Sequence, residues 1–251
     1  MEEENIILPR KDENGEYYIS YSQYTSYKDK SGFNTGLPGM YEYMQGYFLG
    51  HRWPDQGWAL FGTQVEDYIC YKDLPEEERL KMDAELSEQG QSTITEAINS
   101  LTEEEKVTLN KIEPLGNFQI KVKYYLFPGV YLLGFIDDGT DDLSVIRDYK
   151  TASNSSRKRY YTDDYKQLDL YSLWVREETG KLPETMEVKI IERKGNCFGM
   201  VERRDLLSVG GEIWTHERET TEERLFMLEA DLKKTVLEIS SLYKTFLNVN
   251  K

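Results

Sequence analysis

The chain has 251 residues, 39% hydrophobic and 31% charged, which is the balance of a folded domain rather than a disordered segment. A formal net charge of −15 speaks against binding nucleic acid through the whole surface, because phosphate contacts are made by basic side chains. No apolar run approaches the ~20 residues of a membrane span, and the acidic start Met1-Glu2-Glu3-Glu4 is unlike a secretory signal.

Residues 1–18 are acidic and then strand-like or irregular. Ser20 to Asp29 predicts a short helix with Ser20 or Ser22 as N-cap, carrying Tyr24 and Tyr27 on one face. A glycine-containing loop from Lys30 to Leu37 ends at Pro38, and Met40 to Leu49 reads as a buried helix. After the break at Gly50–Asp55, a helix from about Trp58 to Tyr71 has Phe61, Val65, Tyr68 and Ile69 as its apolar stripe. Gly62 inside it costs ~1 kcal/mol against alanine, so a close approach to another backbone is its expected reason. Glu66, one turn on, shares that face.

Residues 72–113 hold twelve acidic against five basic residues and read as helical, with a capping box at Thr102–Glu105 and a weaker one around Ser92–Glu96. A solvated face or a partner-binding insertion is the expectation there. Phe118 to Phe127 alternates as a strand, and Pro128-Gly129 turns into the hairpin that organises the rest. Its first strand, Tyr131 to Asp137, and its second, Ser144 to Thr151, are joined by the acidic turn Asp138–Asp142. In the second strand Asp148 and Lys150 share a face, roughly 7 Å apart at ~3.4 Å per residue.

Thr151 to Arg159 is polar and basic, with the expectation of a mobile loop. From Arg147 to Lys166 six bases face three acids, a local reversal of the global charge. Asp163 or Asp164 then caps a helix to about Glu178, which Gly180 closes, with Gln167 and Tyr171 one turn apart on it. Met186 to Arg193 and Cys197 to Arg204 predict a second hairpin around Gly195-Asn196. Residues 218–248 predict a final helix whose stripe of Leu225, Leu228, Leu232, Val236, Ile239, Tyr243 and Phe246 is buried.

Carboxylate oxygens are what hard divalent cations prefer, so Asp137, Asp148 and Lys150 together would suit a metal beside a phosphate. A surface hairpin with an acidic turn and one ion pair accounts for the same residues. His51 and His216 lack partners at zinc-ligand spacing, no G-x-x-x-x-G-K-(S/T) loop is present, and no Ser or Cys nucleophile has a base partner. Cys70 and Cys197 fall short of the four thiolates of an iron–sulfur cluster, and a reducing cytoplasm is the expected setting.

Gly134-Phe-Ile-Asp137 followed by Asp148-Tyr149-Lys150 resembles the G-x-x-D … (D/E)-x-K core of the PD-(D/E)xK nucleases. Three further pieces resemble its RecB-like exonuclease branch: Gln167-Leu-Asp-Leu-Tyr171, Gly62-Thr-Gln-Val-Glu66, and Ile19-Ser-Tyr-Ser22-Gln-Tyr24-Thr-Ser-Tyr27. The resemblance implies an α/β restriction-endonuclease-like core, a central mixed β-sheet flanked by helices. Residues 1–251 would form a single nuclease domain with additional N-terminal, inserted and C-terminal helices. It implies a Mg²⁺- or Mn²⁺-dependent DNA exonuclease of phage or host DNA recombination, repair or processing, in the cytoplasm of the cell or of a phage host. Glu66, Asp137 and Asp148 would hold metal, with the Tyr149 carbonyl as a further oxygen, and Lys150 would serve the attacking water or the phosphate. Gln167 and Tyr171 would steer DNA, and Arg157, Lys158 and Arg159 would grip its backbone. A structure- or sequence-specific endonuclease and a non-catalytic DNA-binding subunit of a recombination complex are the alternatives. A protein partner of the acidic segment 72–113 is a further expectation; a membrane or an iron–sulfur cluster is not.

Overall fold

The computed structural model describes residues 6–30, 32, 34–54, 56–88, 90 and 92–250, so expectations touching Met1–Asn5, Ser31, Phe33 and Asp55 lie outside the described residues. Strand β1 (Tyr17–Ser20) runs straight into helix α1 (Tyr21–Lys28). Ser20 is the N-cap: its Oγ accepts from Gln23 N at 3.2 Å, while Gln23 Oε1 accepts from Ser20 N at 2.7 Å. The expected helix from Met40 is divided into α2 (Gly39–Tyr43) and a π-helical turn over Met44–Phe48. Helix α3 (Gly57–Tyr71) buries the anticipated stripe of Phe61, Val65, Tyr68 and Ile69.

The acidic segment folds as α4 (Glu76–Glu88), α5 (Ile94–Ser100) and α6 (Glu103–Leu109). Thr93 with Glu96 and Thr102 with Glu105 form its capping boxes. Helix α4 buries none of its residues, whereas α5 and α6 bury Ile94, Ala97 and Leu109. Then come β2 (Asn117–Phe127), β3 (Val130–Gly139), β4 (Val145–Ala152), α7 (Gln167–Thr179), β5 (Thr185–Lys194), β6 (Ser208–Arg218) and α8 (Glu222–Val249). The sheet is mixed: β1 runs parallel to β3 and β4 parallel to β5, while β2–β3, β3–β4 and β5–β6 are antiparallel.

Two apolar clusters pack it. One joins Val188 and Ile190 of β5 to Leu168, Leu170 and Leu173 of α7 and Leu225, Leu232 and Val236 of α8. The other joins Tyr149 and Ile191 to Phe61, Val65 and Ile69 of α3. The fold is therefore the expected α/β one, a mixed sheet flanked by helices. Among the described residues no helix is long and apolar enough to cross a membrane.

Four local expectations are corrected. The stretch after β4 is a 3₁₀ helix over Ser156–Tyr161 rather than a loop, with Tyr160 buried as its anchor. Cys197–Arg204 is not a strand: Cys197 is fully buried, Phe198 has φ +52° and Val201–Leu206 is a 3₁₀ turn, so β5 pairs instead with Ser208–Arg218. Helix α7 starts at Gln167 with Lys166, not Asp163 or Asp164, at its N-cap position and no side-chain cap, and Asp163 instead meets Arg224 Nη1 at 3.2 Å. The last helix starts at Glu222, capped by Thr221, since Arg218 still belongs to β6.

Asp169, 1% exposed on the first turn of α7, ties that helix down. It accepts from Arg224 Nε at 2.7 Å and Nη2 at 3.0 Å, and from Arg218 Nη2 at 3.3 Å. Removing the carboxylate would leave, among the described residues, the Arg218 side chain, 7% exposed, hydrogen-bonded only to the Thr162 carbonyl and the Arg224 guanidinium only to Asp163. Asp169→Ala is expected to lower unfolding stability by about 3 kcal/mol, read as a fall in the urea midpoint at unchanged slope.

Candidate active site

A strand has two edges, and β3 uses them unequally. One edge pairs with β2 along its length, from Val130 to Gly139. The other is divided: β1 takes Val130–Leu133, and β4 takes only Asp138 and Gly139. The expected hairpin is thus paired at just two positions, Asp138 with Arg147 and Gly139 with Ile146, before β4 leaves to run beside β5. Gly134, Phe135, Ile136 and Asp137 are left without a strand on that edge.

Side chains fill the opening. Tyr171 of α7 lies against Gly134, where any Cβ would run into its ring, and its hydroxyl hydrogen-bonds the backbone of Phe135. Tyr171 is 5% exposed and packs against the sheet, beside the partly exposed Gln167. Asp137 turns its carboxylate across the opening, and Oδ2 accepts from Tyr149 N at 2.8 Å. Asp148 follows on β4, buried at 1% exposure; it accepts from Lys150 Nζ at 2.7 Å and from the Tyr165 hydroxyl at 2.5 Å. The same hydroxyl stands 3.2 Å from Gln167 Oε1, which places Gln167 one group away from Asp148.

Glu66 arrives from α3. Gly62, one turn earlier, faces β4 with room for a methyl group: a Cβ there would lie 3.4 Å from Thr151 Oγ1, an ordinary contact. The neighbour is a side chain, not the expected backbone. Glu66 Oε1 accepts from Gln119 Nε2 at 2.5 Å, and both residues line a cavity of about 770 Å³ with Asp67, Tyr71, Met82 and Leu86.

The four groups feel one another. Burial raises Glu66 to about 7, with Lys150 opposing the rise and Asp148 adding to it. Burial, then the charges of Asp148 and Glu66, lift Asp137 well above the usual carboxylate range. Burial works against the Lys150 ammonium, but Asp148, Asp137 and Glu66 outweigh it and hold its pKa above that of an ordinary lysine. Glu66, Asp137, Asp148 and Lys150 therefore lie within electrostatic reach of one another despite their separation in the chain.

Three hard-oxygen groups in excess of one cation suit a divalent metal by the chemistry of the set. Among the described residues no three His, Cys, Asp or Glu side chains form a ready-made metal group. Each carboxylate here is turned to a protein donor: Asp137 to Tyr149 N, Asp148 to Lys150 and Tyr165, Glu66 to Gln119. Asp138, next to Asp137, is wholly buried and accepts from Leu115 N, Gly116 N, Arg147 Nη1 and the Tyr149 hydroxyl. Arg147 also pairs with Glu187 at 2.8 Å, so this base is a core residue and does not belong to the anticipated positive surface. Of that surface, Lys158 and Arg159 are exposed, and Arg157 lies 4.0 Å from the Trp214 ring centroid.

Sequence reasoning missed Tyr165 and Gln119. Tyr165 stands two residues before the Q-x-x-x-Y stretch and could have been suspected from that nearness. Gln119 gives no signal in an alternating strand, because its part depends on a backbone φ of +50°, rare for a residue with a Cβ.

Residues 51–241 match the family model for the PD-(D/E)XK nuclease superfamily. None of the curated proteins matches the chain. A solved structure from Eubacterium rectale, described as a candidate exonuclease, is similar at 18% identity and a TM-score of 0.49, covering 90% of this chain and 82% of its own.

The two glycines of the site should respond oppositely to alanine. Gly134→Ala drives a Cβ into the Tyr171 ring and is expected to cost about 1–3 kcal/mol. Gly62→Ala gains helix propensity in an ordinary contact and should leave stability unchanged or raise it by up to ~1 kcal/mol. Thermal melts of both variants read the difference.

Proposed function

We propose that this chain, which belongs to the PD-(D/E)XK nuclease superfamily, is a metal-dependent DNA exonuclease. The observation that carries the reading is the contact of Lys150 with Asp148, and of Asp137 with Tyr149 N, where β3 and β4 part, with Glu66 within electrostatic reach. Nucleases of this superfamily typically use divalent metals; here the fitting ion is Mg²⁺ or Mn²⁺, since every candidate ligand is a hard oxygen. Asp137 and Asp148 would hold it, with the Tyr149 carbonyl and Glu66 completing the protein's share. When bound, such an ion polarises a scissile phosphate and acidifies a water.

The remaining chemistry falls to the chain's own residues. Lys150 Nζ, now on Asp148 Oδ1, is a positioned donor for the attacking water or for charge gathering on the phosphate. Tyr165 fixes the other Asp148 oxygen, and Gln167, partly exposed beside it, is placed to touch a strand entering the site. Lys158 and Arg159, with Arg157 braced on Trp214, would hold the DNA backbone. The ordered motifs from Ile19 to Tyr171, which resemble those of the RecB-like exonuclease branch, support action from an end. Helix α4, which buries none of its residues fully, leaves the acidic segment open to a protein partner.

Asp148→Ala and Lys150→Ala should each lower cleavage of linear duplex DNA in Mg²⁺ by at least about a hundredfold, with unchanged far-UV circular dichroism. A chelator should abolish wild-type cleavage. Wild-type rates from Lys150→Ala would overturn the mechanism, and cutting of closed circular DNA would replace the exonuclease reading by an endonuclease one.

A further inference from the structure

The geometry points to Gln119 as a positioning residue that holds the Glu66 carboxylate for the proposed metal. The inference rests on the metal-site reading above. Three observations carry it. The first is direct: Gln119 Nε2 donates to Glu66 Oε1 at 2.5 Å, and both line the same cavity.

The second is backbone strain. Gln119 has φ +50° near the start of β2, a conformation that residues with a Cβ adopt rarely and at a cost. The third is its place in the register. Phe118 pairs with Asp138 and Ile120 with Ile136, so Gln119 stands opposite Asp137, yet it is skipped in the ladder. Continuing the β3–β4 register by one step sets Asp148 opposite Asp137 on the other side. Gln119, Asp137 and Asp148 thus lie in one row across three strands, and the pairing fails on both sides of its centre. The turned-out backbone at Gln119 aims an amide at Glu66 instead of continuing the sheet. A glutamine also suits the task chemically, since its NH₂ donates without adding charge to a site already rich in carboxylates.

Direct Mn²⁺ binding by calorimetry, alongside thermal melts, tests this. Gln119→Gly accepts the backbone without strain, so its melting temperature should equal or exceed the wild type while Mn²⁺ affinity falls 10- to 100-fold, the usual loss for a group that orients a ligand. A merely structural glutamine would show the opposite pattern. The double variant Glu66→Gln/Gln119→Gly should bind no more weakly than Glu66→Gln alone. Wild-type affinity in Gln119→Gly, or additive losses in the double variant, overturns the inference. If Glu66→Gln itself binds Mn²⁺ as the wild type does, the reading of Glu66 fails and takes this one with it. A loss confined to Glu66→Gln sinks the Gln119 assignment only.

Discussion

Everything at the site depends on an imbalance in hydrogen bonding along one strand. β3 satisfies its β2 edge almost throughout, but its other edge is claimed by β1 at the start and β4 at the end. Backbone groups left over in a buried sheet must find partners. Here they find them in side chains, the Tyr171 hydroxyl at Phe135 and the Asp137 carboxylate at Tyr149 N. The opening spans Gly134 to Asp137, and the Tyr171 ring and the Asp137 carboxylate occupy it.

Charge is the second constraint. Three carboxylates are set against one ammonium in a poorly hydrated place, a state that raises two of them and stabilises the proton on the lysine. Protein donors absorb part of the excess, each on a different carboxylate. The arrangement is costly to folding and useful to a cation, the trade expected where a fold gives up stability to hold a reactive site.

The sequence was legible where the physics is local. Ser20 with Gln23, the stripe of α3 and Gly180 at the end of α7 all follow from capping and periodicity. Alternation also placed Asp148 and Lys150 on one face, and their contact at 2.7 Å bears that out. It failed where a residue's part is set by partners far away in the chain. Arg147 read as surface charge and is held in the core by Asp138 and Glu187. The packing of Tyr171 on the sheet was hidden for the same reason, because only the bare backbone at Gly134 makes room for its ring. Cys197–Arg204 had the composition of a strand, but Gly195 at φ +82° and Phe198 at φ +52° turn the chain away before pairing can begin.

The adjacent aspartates at the end of β3 make a last point about alignment. Sliding a strand by one position exchanges its two faces, and here that would put Asp138 where Asp137 belongs. Composition offers no defence, since the two side chains are identical. Discrimination comes from Asp138 being saturated by four donors drawn from three separate places: the 115–116 turn, Arg147 and Tyr149. No such ring of donors surrounds Asp137. One carboxylate thereby acts as an index pin for its twin, and the frame of the reactive row is written in a residue that never reaches the solvent.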